Sequence, residues 1–156
     1  MEELTEYRKK LLERLGTTMK EFKTACLAVK NPYEAVEAGG WNVHRLAAHT
    51  RDVDKMVYGM RIRRTLEEDN PAFPNFDGDA YMAEHYDAKE SLKEILEGLT
   101  KSIQALVELL NKMPAEGWSR LSSHATQGSG LTLQVWVERA LGHLEEHLAT
   151  VKKAGG

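Results

Sequence analysis

Two histidines, His143 and His147, lie four residues apart in a stretch with strong helical periodicity. On an α-helix this spacing puts both side chains on one face, about one turn apart, where two neutral imidazoles can hold one metal ion. Both positions fall on the apolar stripe that faces the core, where an unpaired polar group is costly. The stripe consists of Leu133, Trp136, Ala140, His143, His147 and Val151. The pattern therefore predicts a buried metal site.

A third histidine, His49, occupies the apolar stripe of an earlier helical segment, formed by Leu46, His49, Val53, Met56 and Met60. Three imidazoles suit zinc, nickel or iron as a divalent metal cofactor. Three protein ligands that leave further positions open are typical of a catalytic metal site rather than a structural one. The alternative is three core histidines, each of which would need its own hydrogen-bond partner.

Two better-known histidine motifs are absent. The zincin pattern requires Glu directly after its first histidine, whereas His143 is followed by Leu144. The carboxylate-bridged di-iron bundle requires Glu three residues before a histidine, and none of the six histidines has one. A mononuclear histidine site remains the prediction.

Three further side chains are candidates for a second layer around the metal. Asp52 follows His49 by three residues and could orient a neighbouring group. Glu146 precedes His147 directly and could be an outer ligand or a general base. His124 lies in a loop and could line the pocket. A solvated helix face or surface position would also explain each of them.

Other polar residues nearby have a sufficient structural explanation. His44 is about 140° around the helix from His49 and is not expected to share its site. Arg61, Arg63 and Arg64 could hold an anionic substrate, but cations at a helix C-terminus are also favoured by the helix dipole.

The composition excludes several classes of protein. The 21 basic and 24 acidic side chains give a net charge of −3, which disfavours nucleic acid as a partner. No apolar run is long enough to span a membrane, and the acidic N-terminus does not resemble a secretory signal. The single cysteine, Cys26, lies on an amphipathic stretch and is expected to be a buried, inert thiol. A reducing cytoplasm is the expected location.

The periodicities predict a single domain over 1–156 with an all-α fold, a four-helix bundle whose long connections leave room for crossovers. We find no convincing strand pattern in the chain, and the connectors 69–87 and 114–130 are read as irregular segments between the helices. Asn42 is the expected N-cap of the second helix, and Asp87 with Glu90 resembles a capping box for the third. The helices are predicted over 4–29, 43–68, 88–113 and 132–153.

Two segments resemble the motifs of the DinB/YfiT-like superfamily. The segment 41–49 (WNVHRLAAH) places His49 at its end, and 131–133 (LTL) leads into His143 and His147. The resemblance implies a four-helix bundle of unusual connectivity, often dimeric, with these three histidines as metal ligands. Members with known activity use the metal to activate a low-molecular-weight thiol, such as bacillithiol or mycothiol. Arg45 departs from the acidic residue of many members.

Three functions follow from these observations, each with a small-molecule substrate or ligand. The first is a metal-dependent thiol S-transferase, and the second is a metal-dependent hydrolase with Glu146 or Asp52 as base. The third is a stress-response bundle that binds a metal or ligand without turnover. A cationic pocket open at the metal would favour the first, a nearby carboxylate the second, and a closed site the third. A homodimer would use apolar residues such as Phe73 or Trp118.

Overall fold

Amphipathic helices form most of the chain, as the periodicities predict. The computed structural model describes residues 2–36 and 41–155. The four-helix bundle is confirmed, with helix ends within a few residues of the predicted ones. Its helices are α1 (Glu2–Ala28), α2 (Val43–Val53) continuing through a π-helical turn (Asp54–Tyr58) into α3 (Gly59–Glu67), α5 (Leu92–Lys112) and α6 (Leu133–Gly155), with a shorter α4 (Gly78–His85) in the connector.

The first two long helices of the chain are not neighbours in the bundle. Helix α1 packs mainly against α5 and α6 rather than against α2, which follows it in the chain. Helix α2 in turn packs against α5 and α6. Consecutive helices α1 and α2 are therefore not adjacent in the bundle, which agrees with a crossover topology rather than a simple up-down bundle. Within the described ranges, no helix has an apolar stretch long enough to cross a bilayer.

Side-chain caps fix where two of the helices begin. The Asn42 side chain accepts a hydrogen bond from the backbone N–H of Arg45 at 2.8 Å, so the predicted cap of α2 is confirmed. The predicted capping box at Asp87 is wrong. Helix α5 is capped instead by Ser91, whose hydroxyl accepts from the backbone N–H of Glu94 at 3.2 Å. The third long helix therefore starts at 92 rather than at 88.

A small sheet joins the two connectors in which no strand was expected. Strand β1 (Ala72–Phe73) pairs in parallel with β2 (Leu121–His124), and β2 pairs in antiparallel fashion with β3 (Gly128–Thr132). Strands of two to five residues are too short to show a period-two pattern in the sequence. Thr132 ends β3 and caps α6, because its hydroxyl accepts from the backbone N–H of Val135. The sheet thus anchors the N-terminal end of α6.

The two apolar residues expected at a dimer surface are buried. Phe73 is 2% exposed and packs edge-on against Trp136, with 5.9 Å between ring centroids. Trp118 is 6% exposed and belongs to the main core. Their assignment to an interface is wrong, because the sheet and the turn before it fold these aromatic rings onto the bundle.

The π-helical turn changes which residues of the second long helix are buried. The N–H of Gly59 donates to the carbonyl of Asp54, a bond that spans one residue more than an α-helical one. The extra residue rotates the following turns, so Val57 is buried while Met56 and Met60 are only half-buried. Beyond Val53 the predicted stripe is therefore displaced, although Met60 still packs, half-buried, against the core.

Gly59 allows the π turn to close. A Cβ at this position would lie 2.7 Å from the backbone oxygen of Asp54, which cannot move aside as a flexible side chain could. We expect Gly59→Ala to lower the free energy of unfolding by about 1–3 kcal/mol, measured by chemical denaturation. Gly98→Ala is the control, since nothing lies near its added methyl group. It should raise stability by about 0.5–1 kcal/mol. Equal effects of the two substitutions would contradict this account.

Candidate metal centre

The structure brings together the three histidines that the sequence singles out. His49 comes from α2, and His143 and His147 come from successive turns of α6. The ring of His49 lies 5.5 Å from that of His143 and 5.2 Å from that of His147, centroid to centroid. One potential ligand atom from each residue lies within 4.8 Å of the others. This group could hold a metal ion.

Aromatic and small residues hold the rings in place. Trp41 packs edge-on against His49 at 5.3 Å between centroids, and the ring of Tyr58 lies 5.4 Å from that of His143. Helix α4 closes another side: a Cβ at Gly78, its first residue, would lie 3.6 Å from Cε1 of His49. The imidazoles are therefore confined before any ligand is bound.

The electrostatic environment keeps these imidazoles neutral. Burial, followed by the proximity of His147 and His49, lowers the pKa of His143 to about 3. Burial and the nearby His49 lower the pKa of His147 to about 4. Burial also lowers the pKa of His49, although Asp52 acts in the opposite direction. Neutral imidazole is the form that binds metals, so the triad is in its ligating state at neutral pH.

His44 shows what a core histidine with its own partners looks like. It is fully buried, its Nε2 bonds the backbone oxygen of Glu90, and its Nδ1 bonds the hydroxyl of Tyr86, both at 2.6 Å. As expected, it does not share the site. In the triad, by contrast, the one hydrogen bond recorded among the described residues joins Nε2 of His143 to Nε2 of His147 at 2.8 Å. Three neutral rings with so few protein partners fit a metal ion.

Neither candidate carboxylate contacts the triad. Asp52 is buried, but its Oδ1 accepts a hydrogen bond from Nε of Arg51 at 3.0 Å, and Arg51 also reaches Glu90 at 2.6 Å. Asp52 influences His49 only as a nearby charge. Glu146 is exposed. The two carboxylates are therefore close to the histidines in the sequence, but in the structure neither is bonded to an imidazole of the triad.

A cavity of about 340 Å³ opens beside the triad. His124, at the end of β2, lines it together with His49 and His143, so this loop histidine does face the pocket. It is buried rather than at the surface. The buried Arg61 also lines the cavity, which the sequence explained by its place near a helix end. The remaining walls are Val53, Val57, Tyr58, Asn75, Phe76, Gly78, Thr126 and Gln127.

A helical bundle with partly buried histidines on two of its helices, open to a side cavity, defines a class of candidate metalloproteins. The chain belongs to the DinB superfamily, whose sequence model matches residues 3–151. It is also similar in fold to a solved structure, YfiT from Bacillus subtilis, described as a probable metal-dependent hydrolase with an unusual four-helix bundle topology. The two share 22% identity and a TM-score of 0.84 over 96% of this chain and 86% of that one. Comparison with curated protein sequences found no match.

The single cysteine lies outside this site. Cys26 is fully buried on α1, and burial raises the pKa of its thiol to about 12. A thiol that is neither ionised nor accessible is a poor nucleophile. Cys26 is therefore a core residue, as the sequence indicated.

We expect the native protein not to react with a thiol reagent at pH 8. The reason is that Cys26 is inaccessible and un-ionised at that pH. Labelling should reach one thiol per chain only after unfolding in denaturant, as followed by mass spectrometry. Rapid labelling of the folded chain would contradict the assignment of Cys26 to the core.

Proposed function

We propose that this protein is a metal-dependent enzyme that transfers the sulfur of a low-molecular-weight thiol to a small organic molecule. The observation that carries the proposal is the cavity beside the triad. It is open at His49 and His143, it contains the guanidinium of Arg61, and no carboxylate is among its described lining residues. A thiol that carries a negative charge is compatible with such a pocket, whereas a hydrolase would need a base from outside these lining residues.

His49, His143 and His147 would hold a divalent ion through their ring nitrogens. Such an ion would lower the pKa of a thiol and so make thiolate available at neutral pH. The chain's own contribution is to keep the three imidazoles neutral and confined. In the transfer, the S–H bond of the thiol breaks and its proton passes to solvent. A bond then forms between sulfur and an electrophilic carbon of the acceptor, while the bond from that carbon to its leaving group breaks and the leaving group departs with the electron pair. Because Cys26 is inaccessible, the thiol must come from outside the protein.

A metal-dependent hydrolase is the second candidate, and the likeness to YfiT favours it. A hydrolase needs a group that removes a proton from water, within hydrogen-bond reach of that water. Asp52 is engaged with Arg51, and Glu146 is exposed. A non-enzymatic bundle, the third candidate, would be favoured by a closed site, but a cavity lies against two of the three histidines.

We also propose a cytoplasmic location, in keeping with a lone cysteine that is buried as a free thiol. A small molecule, rather than nucleic acid, is the proposed partner because the net charge is −3.

The purified protein should bind about one equivalent of zinc, nickel or iron(II). The double substitution His143→Ala, His147→Ala should weaken metal binding by more than about 100-fold, because it removes two of the three ligands. Loss of a residue that only supports a ligand already lowers metal affinity by about 10–100-fold. Metal content by mass spectrometry and calorimetric titration measure the effect. The matched control is His85→Ala, which removes an exposed imidazole stacked on Tyr81, outside the cavity.

Two results would count against the proposed site. One is a wild-type protein that takes up no metal under any loading condition, which would leave the three histidines as core residues. The other is an equal loss of metal in the His85→Ala control, which would show that binding is not confined to the triad.

Substitution of the two candidate carboxylates distinguishes thiol transfer from hydrolysis. In the metal-loaded protein, Asp52→Asn and Glu146→Gln should leave thiol consumption within about twofold, because neither side chain contacts the triad. Thiol consumption is measured with bacillithiol, mycothiol or cysteine and an electrophilic acceptor. If the protein is a hydrolase that uses either carboxylate as base, that substitution should slow ester or amide cleavage by about 10²–10⁴-fold. Cleavage without any thiol requirement would therefore favour the second candidate.

A further inference from the structure

Arg61 is a buried cation without a carboxylate partner. Only 5% of the residue is exposed, and none of the ion pairs among the described residues includes it. Its Nη2 makes a long hydrogen bond of 3.4 Å to the carbonyl of Pro74, and its Nε is buried with no partner. The guanidinium lies 4.8 Å from the ring centre of Trp136 and 5.9 Å from that of Phe73. The π faces offset part of its desolvation cost, but they accept no hydrogen bond in its plane.

His124 presents a second donor to the same place. Its Nδ1 accepts hydrogen bonds from the backbone N–H groups of Thr126 and Gln127, both at 3.2 Å. Burial and the positive charge of Arg61 lower the pKa of His124, so the ring is neutral and carries one proton. With Nδ1 acting as acceptor, that proton resides on Nε2. Nε2 lies 3.3 Å from Nη2 of Arg61, so two N–H donors face each other.

Two converging donors without an acceptor indicate that a group is missing from the site. The opposite tautomer moves the conflict to Nδ1, where an N–H of His124 would face the two backbone donors at 3.2 Å and only the hydroxyl of Thr126, at 3.4 Å, could accept from it. An oxygen that carries negative charge would accept from both Nη2 of Arg61 and Nε2 of His124, and it would also neutralise the buried cation.

We infer that Arg61 and His124 form a subsite for an anionic oxygen of the substrate, belonging to a carboxylate or a phosphate group. Both residues line the cavity that also contains His49 and His143, so one molecule can reach the subsite and the triad together. The exposed Arg139, whose guanidinium lies 5.3 Å from the ring centre of Trp136, adds positive charge nearby. That the bound anion is part of a substrate rests on the proposed function. The inference adds to that function the class of substrate, a molecule with a carboxylate or a phosphate group.

A structural role for Arg61 is the competing explanation. In that case the guanidinium would only stack on Trp136 and Phe73, and the protein would have no affinity for small anions at this place. The two explanations differ in what added anions do to the side-chain nitrogens of Arg61 and His124.

The test uses nuclear magnetic resonance of the metal-free, ¹⁵N-labelled protein, titrated with acetate and separately with inorganic phosphate at constant ionic strength. Saturable shifts of the Arg61 side-chain N–H and of the His124 ring nitrogens are expected, with dissociation constants on the order of millimolar. Saturation with acetate alone assigns a carboxylate, and saturation with phosphate alone assigns a phosphate group. If neither anion gives saturable shifts at these nitrogens in the wild type, the inference is overturned.

Substitutions test whether anion binding depends on Arg61 in particular. Arg61→Gln should weaken anion binding about tenfold or more, because it removes charge-assisted hydrogen bonds. Arg64→Gln is the matched control: it removes the same charge from the same helix, at a half-buried residue that is paired with Glu68 and does not line the cavity. It should change the dissociation constant less than twofold. Equal losses in both variants would indicate a general charge effect and would also overturn the inference.

Two safeguards keep the result interpretable. If Arg61→Gln does not fold, Arg61→Lys replaces it, since it keeps the cation over Trp136 but loses the planar fork, and weaker binding is again expected. Because the titration needs no metal, it is independent of the metal-binding experiment. Metal binding without anion binding would refute only this inference, whereas anion binding without metal binding would refute only the proposed enzyme.

Discussion

The packing of α2 against α6 is the constraint on which the site depends. One imidazole comes from the first of these helices and two come from the second, and the packing of the two helices brings their ligand atoms within 4.8 Å of one another. The surrounding structure fixes where both helices begin. Asn42 sets where α2 begins, and Thr132 at the end of the sheet sets where α6 begins. The helix ends thus control the geometry of a cluster in the interior.

Local sequence patterns were enough to predict the bundle and the histidine cluster. The spacing of His143 and His147 and their place on an apolar stripe are properties of one helix, and so is the position of His49 on another. To predict that the three histidines lie together, we also needed the assumption that polar groups on apolar stripes share one ligand, and the resemblance to a family. His44 illustrates the limit of that assumption, because it is more deeply buried than the triad and finds its partners in Tyr86 and Glu90.

Features that depend on contacts between distant segments could not be predicted. The short strands exist because the two connectors meet, and this pairing also buries Phe73, which the sequence alone suggested for a dimer surface. The π turn inserts one residue without a local signal and moves the buried face beyond Val53. Arg61 was assigned to a helix end, since nothing in the sequence shows that His124 of the hairpin approaches it.

Two indoles lie beside different parts of the site, Trp41 against the histidine cluster and Trp136 against the buried guanidinium. Trp41 packs edge-on against His49, whereas Trp136 lies beneath the guanidinium of Arg61 and donates its indole N–H to the hydroxyl of Ser122 at 2.8 Å. Indole emission responds to nearby charge and to bound metal ions. Occupation of the histidine cluster and occupation of the cationic end would therefore change the emission of different residues, so the protein contains its own pair of fluorescent reporters.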